Sequence, residues 1–335
     1  MHKHFQKFQL EKDNLGQFIG DLINWSLKLE CSDIHFETYR EVNRIRVRRH
    51  GILSEAIRLK TDLYRRLVAQ IKLLAEMDIA EKRLPQDGSF HWQENRNSAC
   101  IRVSSCPVLT GETLVLRLLQ DSMFLRPIEE LGFRKNQEKL FREAIGRKQG
   151  LILVTGPTGS GKSTTLYSAL NHLNRSGTNI VSIEDPVEIQ IPGINQTEIN
   201  LKANISYQTI LRSLLRQDPD IIMIGEIRDS ISGEIALKAA QTGHLVLSTL
   251  HTTNAQETIK RLQRMGLGEY DIKASLILVV AQRLHLQPCL ECLKKVRNPQ
   301  AGGLIVSDKE IDGCSSCWNG YIERKAGFDL LSNLN

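Results

Sequence analysis

The octapeptide GPTGSGKS, Gly156 to Ser163, follows an unbroken apolar run, LILVT at 151–155, and this junction constrains the fold more than any other stretch. It fits the pattern G-x-x-x-x-G-K-[ST]. Its glycines let the backbone curl until several N–H groups converge, and a helix starting at Lys162 aims its positive end at the same point. That arrangement suits a polyphosphate. Gly156, Pro157, Thr158, Gly159, Ser160 and Gly161 would cradle it, and Lys162 would reach the outer phosphates. Ser163 would ligate Mg²⁺, with Thr164 beside it on the helix. The base-specific N-K-x-D signature of GTPases is absent from the sequence, so ATP is the expected nucleotide.

Around that junction, helix and strand patterns alternate. A helix near Asn136 to Gly146 precedes LILVT; then come a helix from Lys162, the strand NIVSIE, and a helix near Ile205 to Arg216. The strand IIMIGE, a helix near Ile231 to Gln241 and the strand LVLSTL follow. Apolar strands separated by helices predict a parallel α/β sheet covered on both faces, with ligands at the strands' carboxyl ends. Hydrolysis needs an acid there as well as a phosphate cradle. Glu184, Asp185 and Glu188 of SIEDPVE and Glu226 of MIGE are the candidates. The stretch DPDIIMIGEIRD is unusual, because Gly225 stands where most such strands place an aspartate. GHLVLSTLHTTNA sets His244 before a buried strand and His251 just beyond it, positions from which a histidine could sense the outermost phosphate.

The first ~120 residues predict a separate mixed α/β domain of a size that can hold its own core. LGQFIGDLINWSLKLE has helical spacing, SDIHFE and RIRVRR alternate as strands, and Thr61 to Met77 reads as a helix. LPQDGSF reads as a turn, and CIRVSSC and TLVLRLL as closing strands. Period two along the second strand places Arg44, Arg46 and Arg48 on one face, which calls for phosphates or carboxylates. Residues 121–133, punctuated by Pro127 and Gly132, read as a linker to the P-loop domain, 134–286. The opening MHKHFQKFQLEKDN has no apolar core of signal-peptide length, and LILVVA at 276–281 is far short of the ~20 residues that span a bilayer, so a cytoplasmic protein is expected. A net charge of +6 is weak support for a nucleic-acid partner.

Residues 287–335 read as a cysteine module. Cys289 and Cys292 form one C-x₂-C pair and Cys314 and Cys317 another, a spacing that predicts a closed tetrahedral site for a structural Zn²⁺ in a reducing compartment. Cys31, Cys100 and Cys106 read as packing residues.

Taken together, these stretches resemble the secretion-superfamily ATPases, which power type II secretion and type IV and competence pili. GPTGSGKST resembles their Walker A motif, SIEDPVE their aspartate box, LRSLLRQDPDIIMIGEIRD their atypical Walker B and GHLVLSTLHTTNA their histidine box. CSDIHFE, RIRVRRHG, RLPQDGSF and RVSSCPVLTGETLVLRLL match the N-terminal blocks, so the likeness runs from about Asp33 to Leu330. It implies a PAS-like N-terminal domain joined to a RecA-like core, in a hexameric ring at the inner face of the cytoplasmic membrane. The family's Walker B normally ends in Gly-Glu. Glu226 would then act at the magnesium and water, with Glu184 as the second carboxylate. Arginines of the first domain, with Arg46, Arg48 and Arg102 the best placed and Arg83 behind them, would reach the phosphates. The implied partners are other copies of the chain, a polytopic inner-membrane platform protein and, through it, pilin-like subunits, with no sequence-specific nucleic acid.

The resemblance has two departures. His50 replaces the aspartate of R-x-R-x-D-G, and the longer N-terminal domain of many assembly ATPases is not seen. The cysteines followed by GYIERKAG resemble the assembly branch more than the retraction branch, and the compact chain most resembles the competence-pilus ATPase of Gram-positive bacteria. The alternatives are a pilus retraction ATPase, a RecA-like DNA translocase or a nucleotide-regulated scaffold.

Overall fold

Alternating apolar and charged residues along Cys31–Thr38 and Asn43–Arg49 produce strands β1 and β2, which bury Ile34, Phe36, Ile45 and Val47 on one side. They belong to a computed structural model that describes residues 14–40, 42–94, 97–120, 124–200, 205–292, 313–314 and 317–333. The chain divides into two units, Met1–Asp121 with Leu286–Glu323, and Ser122–His285 with Arg324–Asn335.

In the first unit, β3 (Ile52–Leu59), β4 (Gln86–Glu94), β5 (Asn97–Val108) and β6 (Gly111–Leu119) join them in an antiparallel sheet ordered β3-β2-β1-β6-β5-β4. Helices α1 (Leu15–Lys28) and α2 (Thr61–Leu74) bury Ile19, Leu22, Leu67 and Ile71 in the same core as Ile34 and Ile45. Strand β4 begins inside LPQDGSF, which reads as a turn in the sequence. It is an edge strand whose inward positions begin with Gln86 and Gly88, so only Phe90 and Trp92 near its end mark the apolar alternation of a strand. The β2–β3 hairpin turns at His50 and Gly51, with φ of +55° and +83°. Histidine, like Asn and Asp, enters the left-handed region more readily than most residues, so the turn survives without the family's aspartate.

Beneath this sheet lies a buried ion pair. Lys72, 1% exposed, donates to Glu112 Oε1 at 2.8 Å and to the Glu81 carbonyl at 2.6 Å. The Ser105 hydroxyl donates to the same Glu112 oxygen at 3.2 Å.

The second unit carries β7 (Gly150–Thr155), β8 (Ile180–Glu184), β9 (Asn195–Glu198), β10 (Ile221–Ile224), β11 (Leu245–Leu250), β12 (Leu276–Pro288) and β13 (Tyr321–Ser332), ordered β13-β12-β7-β11-β10-β8-β9. From β12 to β9 the neighbours are parallel. Helices α3 (Lys135–Ile145), α4 (Lys162–Leu173), α5 (Tyr207–Leu214), α6 (Ser230–Gln241), α7 (Ala255–Arg264) and α8 (Glu269–Ser275) complete the unit. Along β7, Ile152 and Val154 enter one apolar cluster and Leu151 and Leu153 another, so both faces of the sheet are dry. Each fully buried aliphatic contributes about 1.5–3 kcal/mol, enough in sum to hold a polar loop at the strand's end.

Two expected boundaries differ from this division. Of the supposed linker 121–133, Ile128 and Leu131 are buried in the second unit's core, and a 3-10 turn spans Ile128–Glu130. The supposed module 287–335 is split. Its cysteines group with the first unit, while Phe328 of β13 stacks on Phe133 with ring centroids 3.9 Å apart and joins the second unit. Among the described residues no helix is long and apolar enough to cross a membrane.

Candidate nucleotide and metal sites

The P-loop leaves β7 at Thr155 and enters α4 at Lys162. Gly156 has φ +149°, and a Cβ there would overlap the Gln282 carbonyl oxygen and lie 2.6 Å from Ser160 Oγ. Behind Gly161 stands the Gln282 side chain, 2.8 Å from where a Cβ would be, and Thr165 donates to Gln282 Oε1 at 2.7 Å. The loop is therefore braced from β12. Gln282 carries no motif signal and is legible only in the fold.

Lys162 donates to the carbonyls of Gly156 and Pro157 at 3.0 and 3.1 Å. Burial lowers its pKa from the ordinary lysine value, against the opposing pull of Glu226. Ser160 Oγ and Thr155 Oγ1 are buried without a partner among the described residues. Unpaired hydroxyls, a positive helix end and a lysine held only by carbonyls fit an incoming phosphate. Ser163, half-buried on the first turn of α4, is the residue there that could hold a magnesium ion.

The carboxylates take different positions. Glu184, 4% exposed at the end of β8, accepts from Tyr167 Oη on one oxygen, and from Ser182 Oγ at 2.6 Å and Gln196 Nε2 at 3.0 Å on the other. Burial pushes the Tyr167 phenol up, and Glu184 adds to the effect. Glu226 is bound by Arg228, which also meets Asp185 at 3.0 Å and lies over the Tyr207 ring. His251 Nε2 is 3.5 Å from the other Glu226 oxygen. The structure thus gathers Glu226 and Asp185 on Arg228, a residue without a motif signal, with His251 near the other oxygen of Glu226.

His244 does not join them. It stands at the amino end of β11, the opposite end from His251, with Nδ1 3.0 Å from the Ala239 carbonyl at the end of α6. Six strand residues separate the two histidines, roughly 20 Å of chain. His244 closes a helix terminus, and this geometry withdraws it from the site.

Gly225 follows β10. A Cβ there would be 3.2 Å from both Tyr207 Oη and the Ile183 carbonyl, so the phenol fills the space an aspartate would need. Gly225→Asp is expected to lower stability by about 1–3 kcal/mol from overpacking, read as a lower thermal midpoint. Adding Tyr207→Ala should recover part of the loss. An unchanged midpoint in the single variant would remove the steric account.

In the first unit the predicted arginine face is present. Glu37 receives Arg46 through Nε at 3.0 Å and through Nη2, and Arg44 at 2.9 Å. Burial pushes the Glu37 carboxyl up, but the two guanidiniums outweigh it and hold the pKa below the usual value. Arg48 pairs across the sheet with Asp33, Asp33 with Arg117, and Arg117 with Arg102. Asp33, 6% exposed, lies 3.7 Å from Arg48 and 3.2 Å from Arg117. One carboxylate thus sits within a lateral row of three arginines. Arg117 was not anticipated, and Arg83 lies on the surface beside Glu81.

The four expected cysteine ligands converge. Their sulfurs all lie within 4.8 Å of one another, with Cys289 to Cys314 at 3.7 Å, Cys292 to Cys317 at 3.5 Å and Cys314 to Cys317 at 3.6 Å. A tetrahedral zinc with Zn–S near 2.3 Å requires S···S of ~3.8 Å, so the cluster is compatible with that ion. The folded chain should carry about one zinc per subunit by metal analysis, and Cys292→Ser should lower that content. A folded, metal-free chain would exclude the site.

The family description "Type II/IV secretion system protein" matches residues 9–333. The chain belongs to this family. Relatives within it include the type IV pilus assembly ATPase PilB of Acinetobacter baylyi, 42% identical over 94% of this chain and 57% of that protein. The protein transport protein HofB homolog of Escherichia coli is 46% identical over 91% of this chain and 68% of its own length. The type II secretion system protein E of Dickeya dadantii is 41% identical over 94% of this chain and 65% of its length. The chain thus spans little more than half of the PilB relative. Among solved structures, the ATPase DotB of Legionella pneumophila shares the fold, with a TM-score of 0.71 at 23% identity, over 95% of this chain and 81% of that one. The pilus retraction motor PilT with bound ADP has a TM-score of 0.63 at 28% identity, over 94% and 82%. For this member of the secretion family, the mixed α/β fold accords with those solved structures.

Proposed function

We propose that the chain is an ATP-hydrolysing subunit of a hexameric motor at the cytoplasmic face of the inner membrane. It drives assembly of a type IV pilus-like fibre, the competence pilus among them, or of a type II secretion pseudopilus. The observation that carries this reading is the braced P-loop with Glu226 and His251 at the carboxyl end of the same sheet. Identity to PilB and protein E relatives supports it.

Lys162 and the loop amides bind and orient the β- and γ-phosphates, and Ser163 would hold the magnesium ion that offsets their charge. Glu226, at the carboxyl end of the sheet, orients the attacking water. Glu184, held by its three donors, fixes Tyr167 and the loop after β8, and His251 reports the state of Glu226. Arg48, Arg102 and Arg46 supply positive charge to the phosphates. Work passes to a polytopic platform protein and through it to pilin-like subunits.

Steady-state phosphate release tests the reading, with the platform protein's cytoplasmic portion or duplex DNA added. Stimulation by the platform and indifference to DNA are expected. DNA stimulation that fades with rising salt would favour a translocase instead, and negligible turnover under every condition would favour a scaffold. A retraction motor, suggested by the likeness to PilT, would leave fibres that assemble but fail to withdraw when the gene is deleted.

A further inference from the structure

The cysteine cluster is joined to the first unit by the two residues after its last ligand. Trp318, 2% exposed, lies in the core with Ile34 and Leu22. Its ring is 6.3 Å from that of Trp25 on α1, and the Arg49 guanidinium of β2 lies over it at 5.7 Å. Asn319 donates from Nδ2 to Ser54 Oγ of β3 at 2.7 Å. The knuckle itself is closed by Cys317 N–H donating to the Cys314 carbonyl at 3.3 Å and Cys289 N–H donating to the Gly320 carbonyl at 2.7 Å. Both arms of the β2–β3 hairpin are thus touched from the cluster, Arg49 on one strand and Ser54 on the other.

That hairpin ends on an edge strand, β3, which has sheet partners on one side only. Edge strands open more readily than central ones, so an anchor from outside the sheet has a large effect on them. Three pairs of the cluster's sulfurs lie 3.5–3.7 Å apart and all four lie within 4.8 Å of one another, so a cation bonded to all of them ties the knuckle together, and without it they share only weak S–H contacts. Trp318 and Asn319 directly follow the ligand Cys317, so loss of the ion removes the restraint on their cluster side.

We infer that Trp318 and Asn319 are positioning residues which couple the metal-held knuckle to the β2–β3 hairpin, so that loading the four thiolates orders the strand bearing Arg46 and Arg48. A purely structural zinc would stabilise its own loop. This one sets the order of an arginine strand in another part of the unit. The kinetic consequence rests on the proposed role of those arginines at the phosphates; the ordering of the hairpin does not.

The test uses the full chain and amide hydrogen exchange by mass spectrometry, alongside zinc content and ATP kinetics. Stripping zinc with a chelator should raise exchange across 43–59 about tenfold while β7 and α4 stay protected. Asn319→Ala should keep its zinc and yet raise exchange in 52–59. Trp318→Ala should loosen both strands, and Trp318→Phe should restore most of the protection. In the same variants KM for ATP should rise about fivefold or more with kcat little changed. Equal protection of 43–59 with and without zinc overturns the inference. So does a rise that extends equally to β4 and β5, since that is general unfolding. If the hairpin loosens as expected while KM stays fixed, the coupling stands and the phosphate role of Arg46 and Arg48 falls.

Discussion

Lys162→Ala should abolish phosphate release, at least about a hundredfold below the parent, in a protein whose thermal midpoint is almost unchanged. The expectation follows from how little else the ammonium does. It is buried and held by the carbonyls of Gly156 and Pro157, so its loss removes two local hydrogen bonds and no carboxylate partner. Desolvation already makes the charged form costly here, and a phosphate is the group that repays that cost. ATP affinity, measured by equilibrium binding, should fall with the rate. Full turnover in the variant would remove the P-loop assignment altogether.

The second large effect lies in the other unit and concerns stability. Glu112→Ala leaves Lys72 buried among apolar residues with only the Glu81 carbonyl to meet its charge, and removes the acceptor of Ser105. Breaking a buried pair from one side costs about 3–5 kcal/mol. At roughly 2–4 °C per kcal/mol for a unit of this size, its thermal transition should drop by about 10 °C. Replacing both partners at once, Lys72→Met with Glu112→Leu, should recover most of the loss, because no unpaired charge remains. If the single and double variants melted alike, the pair would not be the cause.

How far the sequence alone could carry these conclusions depended on whether a function was local. The P-loop was legible because one continuous segment does the work, and the cysteine ligands because their spacing is the signature. The alternation in β2 placed Arg44, Arg46 and Arg48 on one face, as the sheet has them. Gln282 and Arg228 were not legible. Each acts across strands, Gln282 from β12 onto a loop after β7, and Arg228 between Glu226 and Asp185. His244 misled for the same reason: beside a buried strand in sequence, it sits at the strand's far end in space. Trp318 carries no motif signal, and its packing against Trp25 and Arg49 is visible only in the fold.

Tyr207 has a consequence for the order in which ligands arrive. Its phenol fills the place beside Gly225 where an aspartate would project, Glu184 has both oxygens occupied by neutral donors, and Arg228 is bound to both Glu226 and Asp185. The cleft therefore leaves a bare divalent ion few carboxylate oxygens free to ligate it. Magnesium is therefore expected to arrive together with the nucleotide and not ahead of it. Calorimetric titration with the ion alone should give no binding heat, while the nucleotide complex does; a measurable signal from the free ion would contradict this order.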